Sequence, residues 1–304
     1  MIKGKNSCLL PSFGPSLGNK FPKELVANNL SARTVLFRSS VPLEFFRWWR
    51  NGQGCGKVQN ILPEEVPSVV GVCRIGVQVV FLDIVHYGQG LLEFNSDGSE
   101  AEQCGNGVRC VAQYLAGIEK NAKSFTLMSP AGLVSARVYE DGLVEVSMGV
   151  PNFEPSNIPF VASKNQLSYE LIVDNKTIEI NVLSMGNPHA VLQVDDINIA
   201  PVSQIGPLIE IHERFPERTN VGFMHITDKA NIELRVHERG AGETAACGTG
   251  ACAAVVSGQR LGLLDKEVSV QLPGGQVVVS WLGSDAPVWL KGNAVLIEEG
   301  TMNL

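Results

Sequence analysis

Gly242-Glu243-Thr244-Ala245-Ala246-Cys247-Gly248-Thr249-Gly250 has a near twin 143 residues earlier, Gly98-Ser99-Glu100-Ala101-Glu102-Gln103-Cys104-Gly105-Asn106-Gly107. Each segment has a Glu four residues before its cysteine, a Cys-Gly-polar-Gly core and an apolar stretch after it. One copy alone reads as a buried cysteine in a glycine-rich turn. Two copies point to two related half-domains, each supplying one thiol. A pair of opposed thiols suits moving a proton off one face of a carbon and onto the other.

The apolar stretches that follow, Val108 to Leu115 and Ala251 to Leu261, read as helices that are apolar nearly all round and therefore buried. Cys110 and Cys252 fall inside them and read as small core residues. Strands dominate the rest. Ser124 to Met128, Leu133 to Tyr139 and Leu143 to Met148 carry alternating or β-branched apolar residues, with an Asp141-Gly142 hairpin turn between the last two. Further strands are expected at Ile178 to Ser184, His189 to Val194, Val221 to Ile226 and Ile232 to His237. Val268 to Leu272 and Gln276 to Trp281 flank Pro273-Gly274-Gly275 as another hairpin. The three prolines between Pro151 and Pro159 mark a linker.

The expected fold is α/β (α+β), with two pseudo-symmetric domains, each a mixed sheet curled around a central helix. The boundaries are residues 1–148 for the half carrying Cys104 and 149–292 for the half carrying Cys247, with residues 293–304 joining the first half.

Composition narrows the function. With 304 residues, 44% hydrophobic and 18% charged, the chain is long enough for two domains. A net charge of −7 argues against nucleic acid, which needs a basic face to replace phosphate counterions. Val69 to Val85 is interrupted by Arg74, Gln78 and Asp83, so it reads as buried strand and no membrane span is expected. The first residues show no clean secretion signal. Seven cysteines, an odd number with no Cys-x-x-Cys, fit reduced thiols in a cytoplasmic protein and no metal site. The charge is uneven: residues 1–94 hold ten Lys/Arg against six Asp/Glu, and the remainder fourteen against twenty-five.

The cysteines themselves carry a chemical argument. A thiolate is the reactive form, and a helix N-terminus favours it through unpaired N–H groups and the helix dipole. The glycines that follow let backbone N–H groups approach an anionic ligand. Other polar clusters are Met185-Gly186-Asn187-Pro188-His189, Glu217-Arg218-Thr219-Asn220-Val221-Gly222-Phe223 and His237-Glu238-Arg239-Gly240. Singly, each is ordinary loop chemistry, but the last runs straight into the second cysteine segment.

Together these segments resemble the diaminopimelate epimerase family, from about Phe94 onward. The resemblance includes Phe94-Asn95-Ser96-Asp97-Gly98-Ser99-Glu100, His212-Glu213-Arg214-Phe215-Pro216 and Leu272-Pro273-Gly274-Gly275 alongside the clusters above. It implies a cofactor-independent epimerase that interconverts LL- and meso-diaminopimelate in lysine and peptidoglycan precursor synthesis. Cys104 and Cys247 would alternate as base and acid. Asn95, Asn187, Asn220, Glu238 and Arg239 would bind substrate. Gly105, Asn106, Gly248 and Thr249 would hold the α-carboxylate, and His189 and Glu238 would poise the thiols. The resemblance also implies a homodimer. The same two-thiol logic serves proline or hydroxyproline racemases, and a non-catalytic amino-acid-binding member is a further alternative. Residues 1–93 fit the family least. The nearest approach to its His-Gly-Leu-Gly-Asn-Asp-Phe opening is Pro15-Ser16-Leu17-Gly18-Asn19-Lys20-Phe21, where Asn19 would keep a substrate-binding role and Lys20 replaces the Asp. Gly52-Gln53-Gly54-Cys55-Gly56-Lys57 lacks the acid and amide of the family's Gly-x-Gly-x-Asp-Gln.

Overall fold

A computed structural model describes residues 31–38, 71–75, 78–83, 90–94, 105–118, 122–129 and 132–303. Asn19, Asn95, Cys104 and the stretches Pro15 to Phe21 and Gly52 to Lys57 lie outside the described residues.

The described chain is strand-rich, as the alternating apolar pattern requires. The first half holds β1 (Ser31–Arg38), β2 (Gly71–Ile75), β3 (Gln78–Asp83), β4 (Gly90–Phe94), helix α1 (Gly105–Ile118), β5 (Ser124–Ser129), β6 (Gly132–Val138) and β7 (Leu143–Ser147). A 3-10 turn at Pro155–Asn157 follows. The second half holds β8 (Tyr169–Val173), β9 (Lys176–Ser184), β10 (Pro188–Gln193), helix α2 (Val202–Glu210), β11 (Asn220–Asp228), β12 (Asn231–Glu238), β13 (Gly242–Thr244) and helix α3 (Gly248–Arg260). The remaining strands are β14 (Glu267–Leu272), β15 (Gly275–Ser280), β16 (Trp289–Asn293) and β17 (Val295–Asn303).

Strand pairing runs without a break from β2 to β8, in the order β2-β3-β4-β5-β6-β7-β16-β15-β14-β12-β11-β10-β9-β8. The antiparallel pair β7–β16 joins the strands before residue 148 to the later ones, with Leu290 opposite Val146 and Gly292 opposite Val144. Strand β17 turns back and pairs antiparallel with β1. This mixed, curled sheet enclosing helices is the architecture expected from the two cysteine segments.

The two central helices, α1 and α3, are enclosed by strands. Helix α3 contacts β9 to β12, β15 and β16, and helix α1 contacts β2, β5 to β7, β16 and β17. Thr249 through Gly258 of α3 are all buried, which explains a run of Ala, Val and Cys with no polar face. In α1, Val108, Cys110, Val111, Ala112 and Leu115 are buried, while Gln113, Tyr114 and Ala116 are half-buried. Both helices belong to one apolar core together with Val144, Val146, Val236 and Leu290. A second core, built on Phe160, Tyr169, Leu171, Phe215 and Phe223, packs under α2.

Strand β16 touches both central helices, and Leu290 is its point of contact. A Cβ on Gly105 would stand 3.0 Å from Leu290 Cδ2 and 2.8 Å from Met148 Sδ; one on Gly248 would stand 3.1 Å from the same Leu290 carbon. The first glycine after each cysteine thus closes on a single leucine. Only a residue without Cβ lets both helix N-termini come this near the same strand. Full burial of Leu290 itself contributes about 1.5–3 kcal/mol.

Candidate active site

The local register explains why distant residues meet at the start of α3. Strands β10 and β11 are parallel with His189 opposite Asn220, and β11 and β12 are antiparallel with Val221 opposite His237. His189, Asn220 and Glu238 therefore lie side by side at one end of three adjacent strands. The chain then turns. The Ala241 N–H donates to the Glu238 carbonyl at 3.0 Å, and Gly240 takes φ +73°, which the third position of such a turn requires. Strand β13 returns along β12, Glu243 opposite His237, and delivers Cys247 to the first turn of α3.

Cys247 is the N-cap of α3. Its backbone is extended, its carbonyl accepts from Ala251 N–H at 3.0 Å, and its Sγ accepts from Gly250 N–H at 3.4 Å. The sulfur is buried, and Thr249 Oγ1 lies 3.6 Å from it. Two influences compete at this atom. Burial pushes the thiol well above its ordinary range, and the negative charge of Glu238 pushes the same way. The Thr249 hydroxyl and the Gly250 N–H pull it down, and lose. The helix N-terminus alone does not set the protonation state, because a dry site with a carboxylate beside it costs a thiolate more than one N–H returns.

Behind Thr249 runs a directed chain. His189 Nε2 meets Asn187 Oδ1 at 2.9 Å, and Asn187 Nδ2 meets Thr249 Oγ1 at 3.4 Å. His189 is fully buried, and burial, helped by the Arg239 cation, lowers its pKa to about 3. It is therefore neutral. With Nε2 carrying the proton, the imidazole donates to Asn187, Asn187 donates to Thr249, and the hydroxyl hydrogen is left to point at sulfur. Thus His189 acts on Cys247 through two intermediaries. On the other side, Thr244 Oγ1 donates to Glu238 Oε1, which fixes the carboxylate facing the thiol.

Other expected residues brace the site. Asn220 is buried; its Nδ2 donates to the Pro188 carbonyl at 2.9 Å and its Oδ1 accepts from Arg239 N–H at 3.0 Å, tying β10 to the turn. Asn106, in the first turn of α1, accepts through Oδ1 from Arg109 Nη2 at 2.8 Å. Gly105 and Gly248 converge on Leu290 as described.

Sequence reasoning missed Thr244, Glu210 and His237. Thr244 lay inside the quoted cysteine segment, so its spacing from Glu238 was available as a signal. Glu210 Oε2 lies 2.7 Å from His237 Nε2, and Glu210 Oε1 accepts from Gly240 N–H at 2.9 Å; nothing local in the sequence announces either contact. Among the described residues, no group of three His, Cys, Asp or Glu side chains could hold a metal ion. No helix among them is long and apolar enough to cross a membrane.

Comparison with known proteins gives the family and the fold. Residues 58–154 and 181–297 match the family model described as diaminopimelate epimerase. The match begins well before Phe94, so residues 58–93 belong to the family pattern although their motifs are not legible by eye. Residues 155–180, which hold the 3-10 turn and β8, fall between the matched segments. The diaminopimelate epimerase of Nitrosomonas europaea is 51% identical over 212 residues, covering 69% of this chain and 77% of that protein. That of Alkalilimnicola ehrlichii is 50% identical over 218 residues, covering 71% and 78%. The fold is shared with a probable proline racemase from Agrobacterium radiobacter, at 15% identity, TM-score 0.57 and 89% of each chain. A hydroxyproline epimerase from Agrobacterium vitis, at 13% identity, has TM-score 0.55 over 84% of this chain and 81% of that one.

Proposed function

The chain belongs to the diaminopimelate epimerase family, and we propose from that premise that it inverts one α-carbon of diaminopimelate with two thiols and no cofactor. The enzyme is an isomerase. The observation that carries the two-thiol reading is the convergence of Gly105 and Gly248 on one carbon of Leu290. Each glycine directly follows a motif cysteine, so their approach to one leucine supports placing the two thiols near each other.

The α-hydrogen of an amino acid is only weakly acidic, and the chemistry must supply both a base and a sink for charge. In this reading the Cys104 thiolate takes the proton: its S–H bond forms as the C–H bond breaks, and the electron pair moves into the carboxylate as an enolate-like anion. N–H groups at the helix N-termini stabilise that charge. The Cys247 thiol, on the opposite face, then gives its proton to the carbon and becomes thiolate. Burial and Glu238 favour the protonated form of Cys247, so it suits the acid role in this direction. As its proton leaves, the donor chain from His189 through Asn187 and Thr249 offers the new thiolate a hydrogen bond. In the reverse direction the roles exchange. Asn19, Asn95, Asn187, Asn220, Glu238 and Arg239 bind the substrate in this reading, with Gly105, Asn106, Gly248 and Thr249 at the α-carboxylate.

The same reading makes the protein a cytoplasmic homodimer of lysine biosynthesis, in keeping with its acidic composition and odd cysteine count; sedimentation measures the assembly.

The test is incubation of purified protein with LL-diaminopimelate in deuterium oxide. Expected is epimerisation with one deuterium at the inverted α-carbon and no requirement for pyridoxal phosphate. A substrate panel including proline and trans-4-hydroxyproline should show no comparable exchange. Binding of diaminopimelate without exchange would overturn the catalytic reading.

A further inference from the structure

We infer that Glu210, acting with His237, is a positioning residue that holds the turn carrying Glu238 and Arg239 against Cys247; this rests on the proposed epimerase reading. Glu210 ends helix α2, which packs on β12, and is almost fully buried. A carboxylate in such a place needs partners for both oxygens. It finds them on the two sides of the turn. Oε2 takes His237, on the α2 face of β12 just before the turn, at 2.7 Å, and Oε1 takes the Gly240 N–H, inside the turn, at 2.9 Å. Arg218 adds a longer, solvent-screened contact at 3.6 Å.

The bond to Gly240 matters because of its neighbour. Arg239 N–H is already taken by Asn220 Oδ1, so two consecutive backbone donors of the turn are held by side chains from two different elements. The turn so fixed carries Arg239 and directly follows Glu238, whose charge acts on the Cys247 thiol. Helix α2 is also pressed down as far as backbone allows. A Cβ on Gly206 would stand 2.7 Å from His237 Cβ and 2.8 Å from its Cγ. The helix, the histidine and the turn thus form one braced unit, with the carboxylate as its pin. A turn whose two central N–H groups were left to water would let Glu238 drift from Cys247, and displacements on the order of 1 Å cost roughly 100-fold in rate.

The experiment compares Glu210→Ala with Glu210→Gln. The amide of Gln is nearly isosteric and can still accept from Gly240 while its NH2 group stays within hydrogen-bonding reach of His237. Two readouts are taken on folded protein: kcat and KM for epimerisation, and the pH profile of iodoacetamide alkylation at Cys247, followed by peptide mass spectrometry. Glu210→Ala is expected to lower kcat about 10- to 100-fold and to move Cys247 alkylation to lower pH, because Glu238 no longer faces the sulfur. Glu210→Gln is expected to restore most of both. If Glu210→Ala does not fold, Gly206→Ala serves instead: it drives a methyl group into His237 without removing any polar group, and should shift both readouts the same way. Wild-type kcat and an unmoved alkylation profile in folded Glu210→Ala, or in Gly206→Ala where that stands in, would overturn the inference. So would a Gln variant as impaired as Ala, since that would make charge rather than position the requirement. The alkylation profile reads the turn even in a protein that turns over no diaminopimelate, so failure of the epimerase reading and failure of this one are separable.

Discussion

Helices α1 and α3 begin alike and are furnished differently. Both start with a glycine pressed on Leu290, and both are buried among strands. Gly105 sits against Met148 as well as Leu290, whereas Gly248 meets Leu290 alone. The first turn of α1 carries Asn106 bonded to Arg109, a buried cation; that of α3 carries Thr249 at the end of an uncharged donor chain, with the carboxylate of Glu238 nearby. A duplicated frame has therefore been given a positive setting on one side and a negative one on the other. In the proposed mechanism, this asymmetry favours the protonated form at Cys247, where burial and Glu238 both raise the thiol.

The severest way to break this comparison is to remove a carrier. Cys247→Ala should lower epimerisation by at least about 10⁴-fold, since groups that act as a unit fail together; a coupled assay on LL-diaminopimelate measures it, and a residual rate near wild type would remove Cys247 from the mechanism.

The next largest effects test the common frame. Gly105→Ala should destabilise by about 1–3 kcal/mol through overpacking against Met148 and Leu290, and Gly248→Ala by less. Both penalties should shrink in a Leu290→Ala background, read as a positive coupling in a denaturation double-mutant cycle.

His189 gives an effect of similar size with a definite sign. Its pKa falls from 6.5 when unfolded to about 3 when folded, so the unfolded chain binds the extra proton between those values. Its contribution is complete above pH 6.5 and is lost as pH falls; between pH 7 and 5 this removes about 2 kcal/mol. Urea denaturation at both pH values should show the slope in wild type and a shallower one in His189→Gln.

The smallest effects sharpen the charge asymmetry. Glu238→Gln should move Cys247 alkylation to lower pH, because a raising charge is gone. Thr249→Val should move it to higher pH, because a lowering hydrogen bond is gone. Shifts in the same direction would contradict the competition described at this sulfur.

The parts of the molecule legible in the sequence are those written in local pattern. β5 to β7, β9 to β12, β14 and β15 follow from alternation and from turn residues such as Asp141-Gly142. Both central helices were expected three residues later than they start, because Gly105 and Gly248 have poor helix propensity and are present for close packing. Helix α2 was not expected at all. Gly206 and Pro207 fall in its middle and read as breakers, yet burial of Val202 and Ile209 against the second core holds it. Glu210 was invisible for a related reason: its partner His237 is 27 residues away, and only the packing of α2 on β12 brings them together.

The pairing of β7 with β16 has a consequence for synthesis. Residues 143–147 and 289–293 are hydrogen-bonded neighbours, yet the ribosome makes them far apart in time. At about 5–20 residues per second, β7 waits roughly 10–30 s for its partner. During that interval it is an open edge, able to pair with any strand that comes by. A chaperone that shields this edge on the nascent chain should raise the yield of folded protein, and slow codons placed just before residue 289 should lower it.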